Sequence, residues 1–239
     1  MPDRQIVAMG GGGFSFGPDW ACLDDYILGL TGKPHPRVCF VPTASGDSNE
    51  YIVRFYEAFP PTRAAASHLA LFGRKVADLR AFLLDHDVIY VGGGNTANML
   101  AVWRLHGVDR ILREAWQAGV VLCGLSAGSL CWFEGGTTDS FGPDLVALDD
   151  GLGLLLGSHC PHYDGEPQRR PAYHRFVRDG RLPAGVAADN GVGLRFLGTE
   201  LAEVVTSHEG HGAYRVHREG AEVRETPLDA RLLTLVERH

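Results

Sequence analysis

Short runs of consecutive apolar residues alternate with longer amphipathic stretches through the first half of the chain. The apolar runs include QIVAMG, RVCFVPT, DVIYVGGG and GVVLCG, and residues 19–30 and 96–118 are helix-like stretches among them. Strands buried on both faces are continuously apolar, whereas strands with one solvated face alternate between apolar and polar residues. The pattern therefore predicts βαβ units, and hence an α/β fold with a mainly parallel central sheet and helices on both faces.

The last third of the chain has a different pattern. GVGLRFLG, LAEVVTS, AYRVHREG and ARLLTLV are short strand candidates separated by turns that contain Gly, Glu or His. Closely spaced strands of this kind predict an antiparallel C-terminal extension, or meander, at the edge of the sheet. Because we find no repeat, low-complexity tract or linker, we expect one α/β domain over residues 1–239.

Composition and charge narrow the class of partner. The chain is 45% hydrophobic and 21% charged, and its 29 acidic and 22 basic residues give a net charge of −7 without a basic cluster. This balance disfavours nucleic acid and anionic membranes as partners. Because we find no signal peptide, no membrane-spanning run and no C-x-x-C pair among the five cysteines, we expect a cytoplasmic protein. We expect a small-molecule partner, and the oligomeric state stays open, a homodimer included.

A serine between two glycines follows the strand candidate GVVLCG. The segment from Gly124 through Ser126 to Gly128 fits G-x-S-x-G, a tight strand-to-helix turn that holds a serine hydroxyl above the sheet. An ordinary βα corner, with Ser126 capping the helix, explains the same five residues. The pattern alone leaves both interpretations open, and the other strand-terminal loops have to decide between them.

Two glycine-rich loops follow other predicted strands. VGGGNTANML leaves backbone N–H groups bare at a helix start, so Gly93 and Gly94, together with Ala127, are candidate oxyanion-hole donors. Asn95 is a candidate helix cap and substrate-binding residue. The loop MGGGGF lacks G-x-G-x-x-G spacing, and we interpret it as a close-packed turn rather than a nucleotide site. We expect no cofactor.

Three histidines lie in the segment GSHCPHYDGEPQRRPAYHRF, namely His159, His162 and His174. A serine hydroxyl is weakly nucleophilic until a base takes its proton, and histidine has a suitable pKa for that near neutrality. His159 and His162 are disfavoured as a metal pair because Pro161 between them breaks helical geometry. We expect no metal.

Two acids compete to orient such a histidine. Asp189 in VAADNGVGL follows a small apolar strand and precedes a glycine, and Asp139 in EGGTTDSFG lies downstream of Ser126. Each acid taken alone is most often a turn carboxylate. Of the two, we prefer Asp189 because a strand end is a rigid platform for a positioned carboxylate.

In their order along the chain, VGGGNT, GLSAGS, GSHCPHYD and VAADNG resemble the peptidase E family of serine peptidases, the aspartyl dipeptidases. The resemblance extends from Ile6 to about Val205 and implies a class I glutamine-amidotransferase-like (flavodoxin-like) fold. It implies Ser126 as nucleophile, His162 as general base and Asp189 as the orienting acid, where the family's dipeptidase has glutamate.

The resemblance also implies hydrolysis of short peptides, with dipeptides carrying an N-terminal aspartate as the expected substrates. The family's anion-recognising arginine would be Arg169, Arg170 or Arg175, and Arg170 matches best by position. Cyanophycinase, another acyl hydrolase of this fold, and a ligand-binding relative without catalysis are the alternatives. Ammonia transfer is disfavoured because the elbow cysteine and the His-x-Glu pair of the amidotransferases are absent.

Overall fold

The apolar runs of the sequence form the parallel centre of the larger of two sheets in the computed structural model, which describes residues 3–234. The strands are β1 (Gln5–Met9), β2 (Arg37–Val41), β3 (Ala65–His68), β4 (Val88–Val91), β5 (Val121–Leu125), β6 (Phe133–Thr138), β7 (Val146–Leu148), β8 (Leu155–Cys160), β9 (Gly185–Ala188), β10 (Val192–Leu197), β11 (Glu200–Thr206), β12 (Ala213–Glu219), β13 (Glu222–Leu228) and β14 (Arg231–Leu232). The helices are α1 (Cys22–Gly29), α2 (Asn49–Ala58), α3 (Leu79–Leu84), α4 (Thr96–His106), α5 (Val108–Gln117), α6 (Ala127–Leu130) and α7 (Arg169–Arg178).

The first sheet has the order β14-β11-β10-β1-β5-β4-β2-β3. Its five strands from β1 to β3 pair in parallel throughout, so the predicted parallel centre is confirmed. Strands β10 and β11 continue the sheet beyond β1 in antiparallel pairing, as GVGLRFLG and LAEVVTS indicated. The carboxyl ends of β1, β4 and β5 therefore lie side by side. The loops that follow these three strands are neighbours at one edge of the sheet.

Each central strand is buried on both faces because helices cover both. Ile6 and Ala8 of β1 pack into one hydrophobic cluster with residues of α3 to α6, among them Trp103. Val7 and Met9 point the other way, into a second cluster with residues of α1 and α2. Alternation along a fully buried strand thus gives apolar side chains to both layers, as the continuous apolar runs predicted.

The second sheet, in the order β13-β12-β9-β8-β6-β7, was not expected from the sequence. Its central strands read FEGGTT, LLGSHC and GVAA, so glycine, threonine, serine and histidine replace the apolar run that marks a buried strand. The segment AYRVHREG pairs with β9 in this sheet instead of extending the first one. Parallel pairing of β6, β8 and β9 aligns three more carboxyl ends, those that precede Asp139, His162 and Asp189.

The turn from β5 to α6 is packed backbone against backbone. A Cβ atom added to Gly124 would lie 2.3 Å from the carbonyl oxygen of Gly128, and one added to Gly128 would lie 2.3 Å from that of Val91. The two glycines of the serine motif therefore let the first turn of α6 rest directly on β4 and β5. None of the helices in the described part of the chain is long and apolar enough to cross a membrane.

We predict that Gly124→Ala destabilises the protein by about 1–3 kcal/mol or more, because the new methyl group overlaps two carbonyl oxygens that belong to the backbone. Gly29→Ala is the matched control, since a Cβ there meets nothing within 4 Å and alanine is the better helix former. Urea unfolding of both variants measures the difference. Equal stability of the two variants would contradict this packing.

Candidate active site

Ser126 lies between β5 and α6 with a backbone φ of 55° and ψ of −118°, a conformation that non-glycine residues seldom adopt. Its N–H donates to the carbonyl of Met9 at 3.3 Å, and a Cβ on Gly93 would lie 3.3 Å from the Cβ of Ser126. Strained backbone of this kind persists only where packing over-determines it. The close approach of the neighbouring strands holds the serine at the sheet edge.

Ser126 faces a cavity of about 320 Å³ at the carboxyl ends of the strands. The cavity is also lined by Gly94, Asn95, Asp139, His162, Glu166 and Arg169. Four of the sequence-predicted site residues thus meet Ser126 there: Gly94, Asn95, Asp139 and His162.

In the described part of the chain, Asn190 is the side-chain hydrogen-bond partner of the His162 ring. Its Nδ1 lies 2.7 Å from Oδ1 of Asn190, and its backbone N–H donates to the carbonyl of Gly10 at 3.0 Å. An amide oxygen can only accept, so Nδ1 carries the proton and Nε2 is left as the acceptor. Burial lowers the pKa of His162, although the Asn190 contact opposes that shift. The histidine is therefore neutral near pH 7, as a general base must be.

The glycine loop after β1 packs directly beneath this pair. A Cβ on Gly11 would lie 2.3 Å from Oδ1 of Asn190 and 2.9 Å from Cε1 of His162. A Cβ on Gly10 would lie 2.2 Å from the carbonyl oxygen of Asp189. The predicted close-packed turn is confirmed. Because Gly10 and Gly11 have no side chains, the loop after β1 can contact both the loop after β8 and the loop after β9.

Asp189, which the sequence analysis preferred as the orienting acid, makes a different contact. Its Oδ2 accepts a hydrogen bond from the backbone N–H of Gly212 at 2.9 Å, and the residue is 4% exposed. The burial raises the pKa of its carboxyl group. Consecutive residues after a strand point in different directions, so Asp189 turns toward β12 while Asn190 turns toward His162. The sequence signal for Asn190 was its place beside Asp189 in VAADNG.

Asp164 links Asn190 to the surface. Its Oδ1 accepts a hydrogen bond from the Asn190 N–H at 2.8 Å, and its Oδ2 lies 2.7 Å from Nδ1 of His211. Asp164, Asp189 and His211 each offer a ligand atom within 4.8 Å of the others, which is the geometry a cation would require. The hydrogen bonds of Asp164 to His211 and of the two carboxylates to backbone N–H groups already explain why these three residues lie together.

Asp139, the competing acid, lies just beyond β6 at the cavity wall. The residue is exposed, and its carboxylate has no hydrogen bond or ion pair with another residue between positions 3 and 234. It therefore does not orient His162 in this structure. Its position beside Ser126 nevertheless makes it available to a ligand in the cavity.

Two of the three expected oxyanion donors have free N–H groups. The N–H of Gly93 donates to the Tyr51 hydroxyl at 3.3 Å. The N–H groups of Gly94 and Ala127 have no hydrogen-bond partner among the described residues, and Ala127 is the first residue of helix α6. Gly94 and Ala127 are thus the pair that can stabilise a developing negative charge.

Asn95 acts as the cap of α4. Its Oδ1 accepts from the N–H of Asn98 at 2.9 Å, and its Nδ2 donates to the carbonyl of Ser140 at 2.9 Å. Both ends of the amide are therefore engaged, although the residue lines the cavity. These bonds fix the oxyanion loop against the loop that carries Asp139.

The arginine in the cavity is Arg169 and not Arg170. The Arg170 guanidinium is half exposed, pairs with Glu225 and lies over the ring of Tyr214. Arg169 is 4% exposed, and its Nε donates to Oε2 of Glu166 at 2.7 Å. Both residues lie at the start of α7, where adjacent side chains project in different directions, so sequence position could not choose between them.

The other two histidines of the segment are structural. His159 is fully buried, with Nδ1 at 3.1 Å from the carbonyl of Val186 and Nε2 at 3.1 Å from the hydroxyl of Ser129. Burial lowers its pKa to about 3, so it stays neutral. His174 contacts Glu225, outside the cavity. Of these three histidines, His162 is the one that lines the cavity with Ser126.

A hydroxyl on a strained turn, a neutral imidazole and the free N–H group of Gly94 share one small cavity, and the free N–H group of Ala127 belongs to the residue after Ser126. These groups are the ones that acyl transfer needs, namely a nucleophile, a base and stabilisation of an oxyanion. The buried Arg169, paired with Glu166, adds a guanidinium group at the cavity wall.

Known proteins match the chain over most of its length. The protein described as "Uncharacterized peptidase YgaJ" from Bacillus subtilis (strain 168) is 53% identical over 230 residues, which is 96% of this chain and 99% of that protein. Two solved structures have the same fold at 18% identity. A peptidase from an acI-B1 Actinobacterium has a TM-score of 0.67, with 95% of each chain covered. A Listeria monocytogenes EGD-e protein described as a candidate peptidase E has a TM-score of 0.54, with 95% of this chain and 100% of that one covered.

The model of peptidase family S51 matches residues 6–204, which contain every strand-terminal loop described above. The expected peptidase fold is confirmed. The chain belongs to peptidase family S51.

Proposed function

We propose that this peptidase is of the serine type and cleaves short peptides through Ser126, with His162 as the general base and Asn190 as its orienting partner. The observation that carries the proposal is the convergence of Ser126 on its strained turn with His162 in one cavity. Asparagine as the third member has a precedent in the Cys-His-Asn arrangement of papain-like proteases.

The reaction follows from the protonation state of His162. Its free Nε2 takes the proton as the Ser126 hydroxyl attacks the peptide carbonyl, and the N–H groups of Gly94 and Ala127 hold the resulting oxyanion. The imidazolium then gives that proton to the leaving amine, and water releases the acyl group by the reverse sequence. In the free protein Ser126 Oγ has no hydrogen bond to a residue in the described range, and such catalytic bonds often tighten only when substrate binds.

The substrate class follows from the charges of the cavity. Arginine recognises carboxylates through its planar fork, and Arg169 is the arginine that reaches the cavity wall. We therefore propose exopeptidase action on dipeptides with N-terminal aspartate, and we assign to Arg169 the role that sequence position gave to Arg170. A cyanophycinase-like hydrolase is the alternative, and the substrates of that class would be compared with the dipeptides by kcat/KM.

Ser126→Ala should abolish peptide hydrolysis, with a loss of several orders of magnitude in kcat, because the acyl-enzyme cannot form. A fluorophosphonate should label the wild-type protein at Ser126, as found by mass spectrometry, and leave the variant unlabelled. Urea unfolding of the variant should match the wild type. Folded wild-type protein that takes no label and cleaves no peptide would favour a ligand-binding role.

Asn190→Asp should move the acid limb of the pH profile of kcat/KM upward by about 1 unit or more, because a carboxylate beside Nδ1 favours the imidazolium. In the wild type the limb should lie below the ordinary histidine pKa of about 6.5, since burial keeps His162 neutral to lower pH. Activity is lost as pH falls through this pKa. Asn190→Ala is the control and should lower kcat without an upward shift. An unchanged limb in Asn190→Asp would contradict the pairing.

Arg169→Ala should lower kcat/KM for Asp-Ala relative to Ala-Ala by about 10- to 100-fold, the size expected when a charged hydrogen bond is lost. Arg170→Ala is the matched control, because its guanidinium pairs with Glu225 away from the cavity, and it should keep the Asp preference. Arg169→Lys, which retains the charge, guards against loss of folding. If Arg170→Ala lost the Asp preference and Arg169→Ala kept it, Arg170 would be the anion-recognising arginine, as the sequence indicated.

A further inference from the structure

Two carboxylates line the cavity and have no part in the proposed mechanism, and one of them, Asp139, also has no ion-pair partner in the described part of the chain. Of its charged lining residues, Glu166 and Arg169 pair with each other at 2.7 Å. Asp139 has no such partner within residues 3–234, and its side chain faces the same cavity. With His162 neutral, the lining carries one more negative charge than positive charge. The carboxylate of Asp139 is therefore available to pair with a cationic group of a ligand in the cavity.

The neighbours of Asp139 along the chain contact both the oxyanion loop and Arg169. Its neighbour Ser140 accepts a hydrogen bond from Asn95, next to the free N–H of Gly94. On the other side, the carbonyl of Thr137 accepts from Arg169 at 3.3 Å. Asp139 thus lies between the oxyanion loop and the arginine. The proposed mechanism puts the carbonyl oxygen at the oxyanion donors and the leaving amine at His162, so Asp139 is on the part of the lining that remains for the substituents of the acyl Cα.

We infer that Asp139 binds the free α-ammonium group of the substrate and so restricts the enzyme to cleavage of the bond after an N-terminal residue. This inference rests on the proposed function of the same cavity. An α-ammonium lies on the Cα next to the scissile carbonyl whenever the first bond of an unblocked peptide is the one cleaved. At about 320 Å³ the cavity is at the small end of ligand sites, which suits a single N-terminal residue.

The same geometry gives Asp139 and Arg169 complementary tasks. An N-terminal aspartate has an ammonium on its Cα and a carboxylate one carbon further along its side chain, and the cavity lining has a carboxylate and a guanidinium, both near the end of β6. A neutral N-terminal residue would keep the contact with Asp139 and lose the one with Arg169. Asp139 therefore selects for the free terminus, and Arg169 selects among side chains.

The test compares aspartyl p-nitroanilide with its N-acetyl derivative in the wild type, Asp139→Asn and Asp144→Asn. Asp144 is an exposed acid of the same loop that does not line the cavity, so its variant controls for net charge. Protection of Ser126 from fluorophosphonate by Asp-Ala and by N-acetyl-Asp-Ala gives a binding readout that needs no turnover. All three proteins are used as full-length chains.

The wild type and Asp144→Asn should prefer the free amine by at least about 10-fold in kcat/KM, and only Asp-Ala should protect Ser126. Asp139→Asn should lose about 10- to 100-fold on the free amine, mainly through KM, with the acetylated substrate unchanged. Wild-type activity on the free amine should fall as pH rises through the substrate's α-amino pKa, near 7.7–8.0.

Three results would overturn the inference. Equal hydrolysis of both substrates by the wild type would show that no free terminus is required. An equal loss of kcat on both substrates in Asp139→Asn would show that Asp139 serves His162 instead. Absence of hydrolysis, labelling and protection together would overturn the proposed function, and this inference with it.

Discussion

The hydrogen bond between His162 and Asn190 depends on how closely three backbone segments approach one another. The loop after β1 supplies the carbonyl of Gly10 to the N–H of His162 and the carbonyl of Gly11 to the N–H of Gly191. Gly11 leaves no room for a side chain beneath the pair. The adjacent strands β8 and β9 of the second sheet thus place a histidine and an amide at one point, because the loop after β1 of the first sheet has no side chain there.

Burial and a neutral partner together give His162 its chemistry. Burial lowers its pKa, and Asn190 fixes the proton on Nδ1 without adding a charge that would raise the pKa as strongly as a carboxylate does. In the proposed mechanism, His162 is therefore available as a base over a wider range toward acid pH than an Asp-oriented histidine would be. The imidazolium of that mechanism would be stabilised by a dipole rather than by an ion, so the oxyanion donors would supply a larger part of the electrostatic stabilisation.

Part of this arrangement could be predicted from the sequence, because it depends on local rules. Continuous apolar runs indicated the parallel strands, and the glycines around Ser126 indicated the turn. The second sheet lacked that signal because its strands are rich in small and polar residues. From the sequence we weighed Asp189 against Asp139 and did not consider Asn190. That Asn190 rather than Asp189 contacts His162, and that Arg169 rather than Arg170 lines the cavity, depends on the direction of adjacent side chains. That direction is set by packing against distant segments, such as Gly212 and Glu225, which sequence order does not reveal.

The proposed mechanism depends on the tautomer of His162, and ¹⁵N NMR of histidine-labelled protein measures that tautomer directly. With the His162 signal assigned by comparison with His162→Gln, we expect a neutral ring at pH 7 that is protonated at Nδ1 and unprotonated at Nε2. In Asn190→Ala this preference should weaken. A wild-type ring that is protonated at Nε2, or charged at pH 7, would rule out His162 as the base in this arrangement.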